Sequence, residues 1–375
     1  MVAPKLFEYR LPARDIKAIN IGWFRNSAEI QLDWRTWIGQ GYDGIRIIGA
    51  GIDRSLIHGN LYDGTAVAIG RHPGITQLEN LSIYAGFSMG VQCGEQNLTH
   101  ELVPKFMLKY LGVKGFVTQI PGFGRTKWWD FGYQRDVTFE DVEIDAIQAS
   151  EHGSYSHGFA KLGLHAKRLK FRGSGAQNLK VRSSADETAY AGPQAKIHIE
   201  DSTFQRWFQE WSDRGGGGIV IEGGAAIVEI QDSIFRGGGD SSQHARCIML
   251  SSESNSYDWA TGKVGVGAGN GPVTLKRLAI SGRAPDFWGN ELVRCGRNGG
   301  TQLSAASFLM EACGGYGKNM IVQLGQLPKG KGVIRSCNTP EIREKCSLLG
   351  GIDVDREAVW PGPARLVPLS EGVVV

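Results

Sequence analysis

Seven segments of this chain space their apolar residues by two, then three, then two positions. They are Thr76-Leu78-Leu81-Ile83, Val137-Phe139-Val142-Ile144, Leu164-Ala166-Leu169-Phe171 and Ile197-Ile199-Ser202-Phe204, followed by Val228-Ile230-Ser233-Phe235, Val273-Leu275-Leu278-Ile280 and Thr301-Leu303-Ala306-Phe308. A step of two keeps side chains on one face of a strand, whereas a step of three reverses the face in a straight strand. A bend at the extra residue lets both halves keep pointing inward. Asn80, Asp141, Asp201 and Asp232 stand at that step, and their residue types tolerate left-handed backbone.

Two short strands joined by a corner make one side of a β-helix coil, and a third strand closes it. Candidates for the third strand are Gly90–Cys93, Leu179–Arg182, Ile219–Glu222, Cys247–Leu250, Leu292–Cys295 and Met320–Gln323. The predicted fold is therefore all-β, a right-handed parallel β-helix. The step from Leu81 to Val142 is 61 residues, so that interval holds a long insertion or an additional coil. A helical solenoid would need runs of period 3.6, which the repeat region lacks. A β-sandwich also uses short, regularly spaced strands, but it has no reason to shift parity at the same step each time.

A solenoid must cover its open ends. Residues 1–43 are the expected N-terminal cap, with Trp23, Phe24, Trp34 and Trp37 to cover the first coil. Residues 44–338 form the β-helix, and residues 339–375 a C-terminal cap or docking tail. The 53 glycines among 375 residues suit a chain with many tight corners, and a 41% hydrophobic fraction opposes disorder.

Charge narrows the partners. With 41 basic and 38 acidic residues the net charge is +3, which sets up no strong field for a polyanion such as nucleic acid. No apolar run is long enough to span a bilayer, and the N-terminus has no apolar signal core. The expected locations are thus a virion, if the chain is phage-encoded, or otherwise the cytoplasm or an export route without a cleavable signal. The six cysteines form no CxxC pair, and Cys337 and Cys346 are near enough in sequence to bridge.

The segments GIRIIGAGIDRSLIHG and ASEHGSYSHG resemble coils of the pectin-lyase-like superfamily of parallel β-helices. The resemblance spans roughly residues 44–338. It implies the coil architecture and, for the enzymes of that superfamily, action on polysaccharides. The Asn-Thr-Asp, Asp-Asp and Arg-x-Lys signatures of its polygalacturonase-like members do not occur here as a complete set. A fold alone licenses no activity.

Several constellations could carry chemistry. Asp201 and Asp232 occupy equivalent places on successive coils and could act as a carboxylate pair, as glycoside hydrolysis requires; at corners, such residues also bond the local backbone. Asp213, Glu222 and Asp240 cluster in sequence with Trp207 and Trp211, an acid–base set beside stacking platforms. Trp128, Trp129, Tyr133 and Trp259 are further aromatics able to stack on sugar rings. His152 and His157 match no metal-ligand spacing, and no cofactor motif is found.

Third strands that are apolar at both parities imply an outer patch at Val220, Ile248 and Val322, covered by a loop or another subunit. Two functional classes follow. The first is a structural or adhesive virion-type protein: a phage spike, fibre-like or capsid-decorating component, trimeric by preference and able to bind a surface polysaccharide. The second is a polysaccharide lyase or glycoside hydrolase.

Overall fold

A computed structural model describes residues 2–22, 28–59, 66–69, 74–84, 91–93, 105–114, 129–133, 136–145, 152–158, 163–173, 177–183, 196–207, 217–222, 227–238, 246–251, 256–258, 263–265, 270–281, 290–295, 305–315, 320–324, 332–337, 341–344 and 353–355. The chain is an all-β solenoid. A 20-stranded sheet and a 12-stranded sheet run its length, and every pairing within them is parallel except in a separate two-stranded hairpin, Ser256–Asp258 with Lys263–Gly265. Parallel strands joined in this way take the right-handed crossover sense. Among the described residues, no helix is long and apolar enough to cross a membrane.

The parity shift has a clear backbone origin. Asn80, Asp141, Arg168, Asp201, Asp232, Arg277, Ala312 and Ser336 all adopt φ between 49° and 54°. One left-handed residue between two extended segments turns the chain and restores the inward face. Lys196–Glu200 pairs with Ile227–Gln231, and after the corner Thr203–Trp207 pairs with Ile234–Gly238 in unbroken register. Leu81, Val142, Leu169 and Leu278 each follow a left-handed residue and are 0–1% exposed, forming the single inward row that the spacing predicts.

Below the corner the row becomes polar. Ser202 Oγ donates to its own Glu200 carbonyl at 2.7 Å and accepts from the Leu169 amide at 3.2 Å. Ser233 repeats both contacts, donating to Gln231 O at 2.8 Å and accepting from the Ser202 amide at 3.2 Å. The amide just past a corner points into the stack, and the next coil's hydroxyl satisfies it. These buried serines are therefore structural, since an unpaired buried amide would cost about 1–3 kcal/mol.

Aliphatic and aromatic columns fill the interior. Ile144, Phe171, Phe204 and Phe235 align in register and are fully buried. On the second sheet, Val91, Leu179, Ile219 and Ile248 lie in one buried column.

The 61-residue interval contains an additional coil. Lys105–Lys114 pairs with Ile75–Glu79 on one side and Asp136–Asp145 on the other. Phe106, Leu108, Leu111 and Val113 repeat the two-three-two spacing, and the register skips Tyr110 at the place of Asp141.

The last predicted repeat is shifted. Val273 pairs with Phe308 and Leu275 with Met310, and the corner falls at Ala312. The true anchors are Phe308, Met310 and Cys313, rather than Thr301, Leu303 and Ala306. Thr301 and Leu303 lie outside the described residues. The template admits small and polar anchors, and here they matched one strand too early.

Both domain boundaries move outward. Leu6–Arg10, Asp15–Lys17 and Ile19–Ile21 pair with Gly44–Ile48, Leu56–His58 and Val67–Ile69, so residues 6–21 form a full coil of their own. Strand Ile30–Leu32 then extends the second sheet beyond Ile19–Ile21. Helix Trp34–Ile38 starts at Asp33, whose carboxylate accepts from the Arg35 amide at 3.0 Å. It buries Trp37, with the Phe7 ring 6.4 Å away. Trp34 packs on the same cluster, while Trp23 and Phe24 lie outside the described residues. At the other end, Glu341–Glu344 and Asp353–Asp355 continue the two sheets past residue 338.

Candidate functional site

Outward positions of the first strands carry an ion-paired ladder across coils. Arg46 bridges Glu8 at 3.1 Å and Glu79 at 2.8 Å. Lys167 meets Glu200 at 2.7 Å, and Lys196 meets Glu229 at 2.8 Å. Between those carboxylates, His198 places Nδ1 3.1 Å from Glu229 and Nε2 3.6 Å from Glu200. Hydrogen bonding from Lys167 holds the Glu200 carboxyl below its usual range, and hydrogen bonding from Lys196 does the same for Glu229. Glu311 is lowered chiefly by a hydrogen bond from Arg335. These groups are kept as anions, the wrong form for a general acid at neutral pH.

The corner column continues the pattern. Arg168 forks onto Asp141, with its Nη2 2.7 Å from Oδ2, and the pair lowers the aspartate. Arg277 forks onto Asp232 at 2.5 and 2.6 Å. Asp201 and Asp232 thus sit at equivalent corners, as expected, but the Asp232 carboxylate is held at both oxygens by the next coil's arginine. That is a structural ion pair, and it corrects the reading of Asp232 as half of a free catalytic pair.

The outer face of the second sheet is chemically different. Ile219 and Ile221 are buried, so Val220 and Glu222 occupy opposite-parity positions. Register then assembles two adjacent rows. One runs Gln92, Asp130, Tyr155, Lys180, Val220, Met249, Arg294 and Gln323. The other runs Tyr133, His157, Arg182, Glu222 and Ser251, with a register shift between Asp130 and Tyr133. Coils stack about 4.8 Å apart and same-face neighbours lie about 6.7 Å apart along a strand. Two carboxylate residues, Asp130 and Glu222, two cationic residues, a histidine and two tyrosines therefore occupy neighbouring positions on one small area of sheet.

This arrangement corrects the proposed oligomer face. Ile248 is fully buried and pairs with Ile219, while Val322 joins its column through Val293. Val220 belongs to the opposite parity. The three apolar residues cannot form one outer patch, because an in-register column keeps one parity throughout. The row that does contain Val220 is mostly polar.

Of the other predicted residues, Glu222 and Tyr133 fall in the second row above. Trp129 pairs with Val91 and Ser154 and so shares the parity of the core column. Trp207 ends its strand opposite Gly238. Asp213, Asp240, Trp128, Trp211 and Trp259 lie outside the described residues. The rows also contain Tyr155, Lys180 and Arg182, which sequence reasoning did not select. Their alternation with Leu179 and Val181 was the available signal. Among the described residues, no group of three or more histidine, cysteine, aspartate or glutamate side chains could hold a metal ion.

No family model matches this chain, and no curated protein matches it. Among solved structures it is similar to the Azotobacter vinelandii mannuronan C-5 epimerase AlgE6 A-module, at 10% identity. The match covers 94% of this chain and 90% of that one, with a TM-score of 0.43. A likeness this distant assigns no activity.

Proposed function

We propose that this β-helix engages an acidic polysaccharide across the outer face of its second sheet, along the rows through Lys180, Arg182, His157 and Glu222. The observation carrying this reading is the register that gathers two cationic positions with Tyr133, Tyr155 and His157 on successive coils. Cations attract uronate-type carboxylates, and aromatic faces stack on sugar rings. The primary role is adhesive, as in a virion-type spike or decorating protein assembled as a homo-oligomer. The ion-paired ladder of the other sheet supports a structural part, since its lowered carboxylates are committed to holding coils together.

A second reading is cleavage of the bound glycan. The specific observation favouring it is His157 directly between Tyr133 and Arg182 in one row. β-Elimination needs a base for the proton next to a carboxylate and a cation to neutralise that carboxylate.

The test is a panel of acidic and neutral polysaccharides, read for binding by affinity electrophoresis and for unsaturated uronate by ultraviolet absorbance. Retention by acidic glycans without new absorbance supports adhesion, whereas retention with rising absorbance supports the lyase reading. Absence of retention, or retention unchanged in Lys180→Ala/Arg182→Ala, overturns both.

A further inference from the structure

Cys313 and Cys337 occupy the same place on successive coils. Each follows a left-handed corner residue, Ala312 at φ 52° and Ser336 at φ 53°. The strands leading to them pair in register, with Met310 opposite Ile334 and Glu311 opposite Arg335. Each thiol donates to the carbonyl two residues back, Cys313 to Glu311 at 3.3 Å and Cys337 to Arg335 at 3.1 Å. The Cys313 amide donates to Cys337 Sγ at 3.4 Å. These are the contacts that Ser202 and Ser233 make three coils earlier, with sulfur in place of oxygen.

We propose that Cys313 and Cys337 are a redox site: a dithiol that small disulfides of the glutathione type oxidise to an inter-coil disulfide, tying the last coils together. In-register neighbours in a parallel stack have α-carbons about 4.8 Å apart, within the range a disulfide spans. Both thiols are reduced here. Cys313 is fully buried, while Cys337 is partly exposed, so an oxidant reaches Cys337 first.

Hydrogen bonding from Cys313 favours the Cys337 thiolate, and burial disfavours that of Cys313. The Cys337 thiolate therefore attacks one sulfur of the small disulfide, forming a mixed disulfide and expelling one thiolate. Cys313 then attacks Cys337 Sγ, expelling the second small thiolate, which takes up the Cys313 proton. The sum is two protein thiols and one small disulfide giving one protein disulfide and two small thiols.

The full-length chain, folded and exposed to oxidised glutathione, should lose two alkylatable thiols and yield a Cys313–Cys337 cross-linked peptide. Cys346→Ser should leave that cross-link intact. Cys313→Ser, which installs the residue already used at positions 202 and 233, should leave Cys337 as a persistent glutathione adduct. Amide exchange in Ala305–Glu311 and Gly332–Arg335 should slow by about tenfold or more on oxidation. Thiols that both stay alkylatable, a link from Cys337 to Cys346 instead, or unchanged exchange in the cross-linked protein would each overturn the proposal.

Discussion

Phe204 stacks on Phe235 from one coil to the next, with ring centroids 5.4 Å apart and planes 17° from parallel. Both rings are fully buried in the column that also holds Ile144 and Phe171. Neighbouring coils are therefore coupled by aromatic contact as well as by backbone hydrogen bonds.

Phe235→Ala should destabilise the chain by about 3–5 kcal/mol, through lost transfer energy and the void left between coils. Phe235→Leu should cost less than half as much. Chemical denaturation gives the totals. Amide exchange should show the loss centred on strands Thr203–Trp207 and Ile234–Gly238, because each coil contacts chiefly its neighbours.

The left-handed corners offer a test of opposite sign. Ala312 adopts φ 52°, a conformation that costs an ordinary L-residue about 1–2 kcal/mol. Ala312→Gly removes that strain and adds some unfolded-state entropy, for a net gain of about 0.5–1 kcal/mol. A rise in melting temperature would agree, and a fall would show that the methyl group packs more than it strains.

Gly44 has the reverse requirement. A β-carbon there would lie 2.5 Å from the Ile75 nitrogen and 2.8 Å from its carbonyl carbon, so the second and third coils meet backbone against backbone. Gly44→Ala should cost about 1–3 kcal/mol. Limited proteolysis should then release the first two coils before the rest of the helix opens.

Acid should weaken the solenoid. Glu200, Glu229, Glu311 and Asp141 are held below their ordinary range by cationic partners on adjacent coils. A carboxyl lowered on folding contributes stability above its unfolded value, near 4. That contribution is lost as pH falls through the lower folded value. Melting temperature should drop as pH is taken below about 4, and Lys167→Met/Lys196→Met should flatten the dependence.

The inward rows were legible in sequence because parity is a strict rule, and a shift at the same step in each repeat admits few explanations. What stayed hidden follows from where that rule is silent. The coil at Lys105–Lys114 has Tyr110 at its corner, where no turn-forming residue announces a bend. Arg168 and Arg277 are equally poor turn formers, but each gains a forked ion pair with an aspartate of the preceding coil. The shift of the last repeat arose because Cys313 and Gly315 replace larger apolar anchors. The oligomer face failed for a simpler reason: an apolar residue on a third strand has no visible parity until its neighbours are aligned. Alignment also revealed the Tyr155, Lys180 and Arg182 positions, which single strands do not connect.

The corner residue acts as a reading frame for the fold. Loops on the far side of each coil can lengthen freely, because they join strands whose facing is already set. Removing Asp201 alone would turn Thr203–Trp207 inside out, moving Phe204 to solvent and Thr203 into the stack. Length variation in this architecture is therefore tolerated in the loops, but neither within the paired strands nor at the corner that keeps their count.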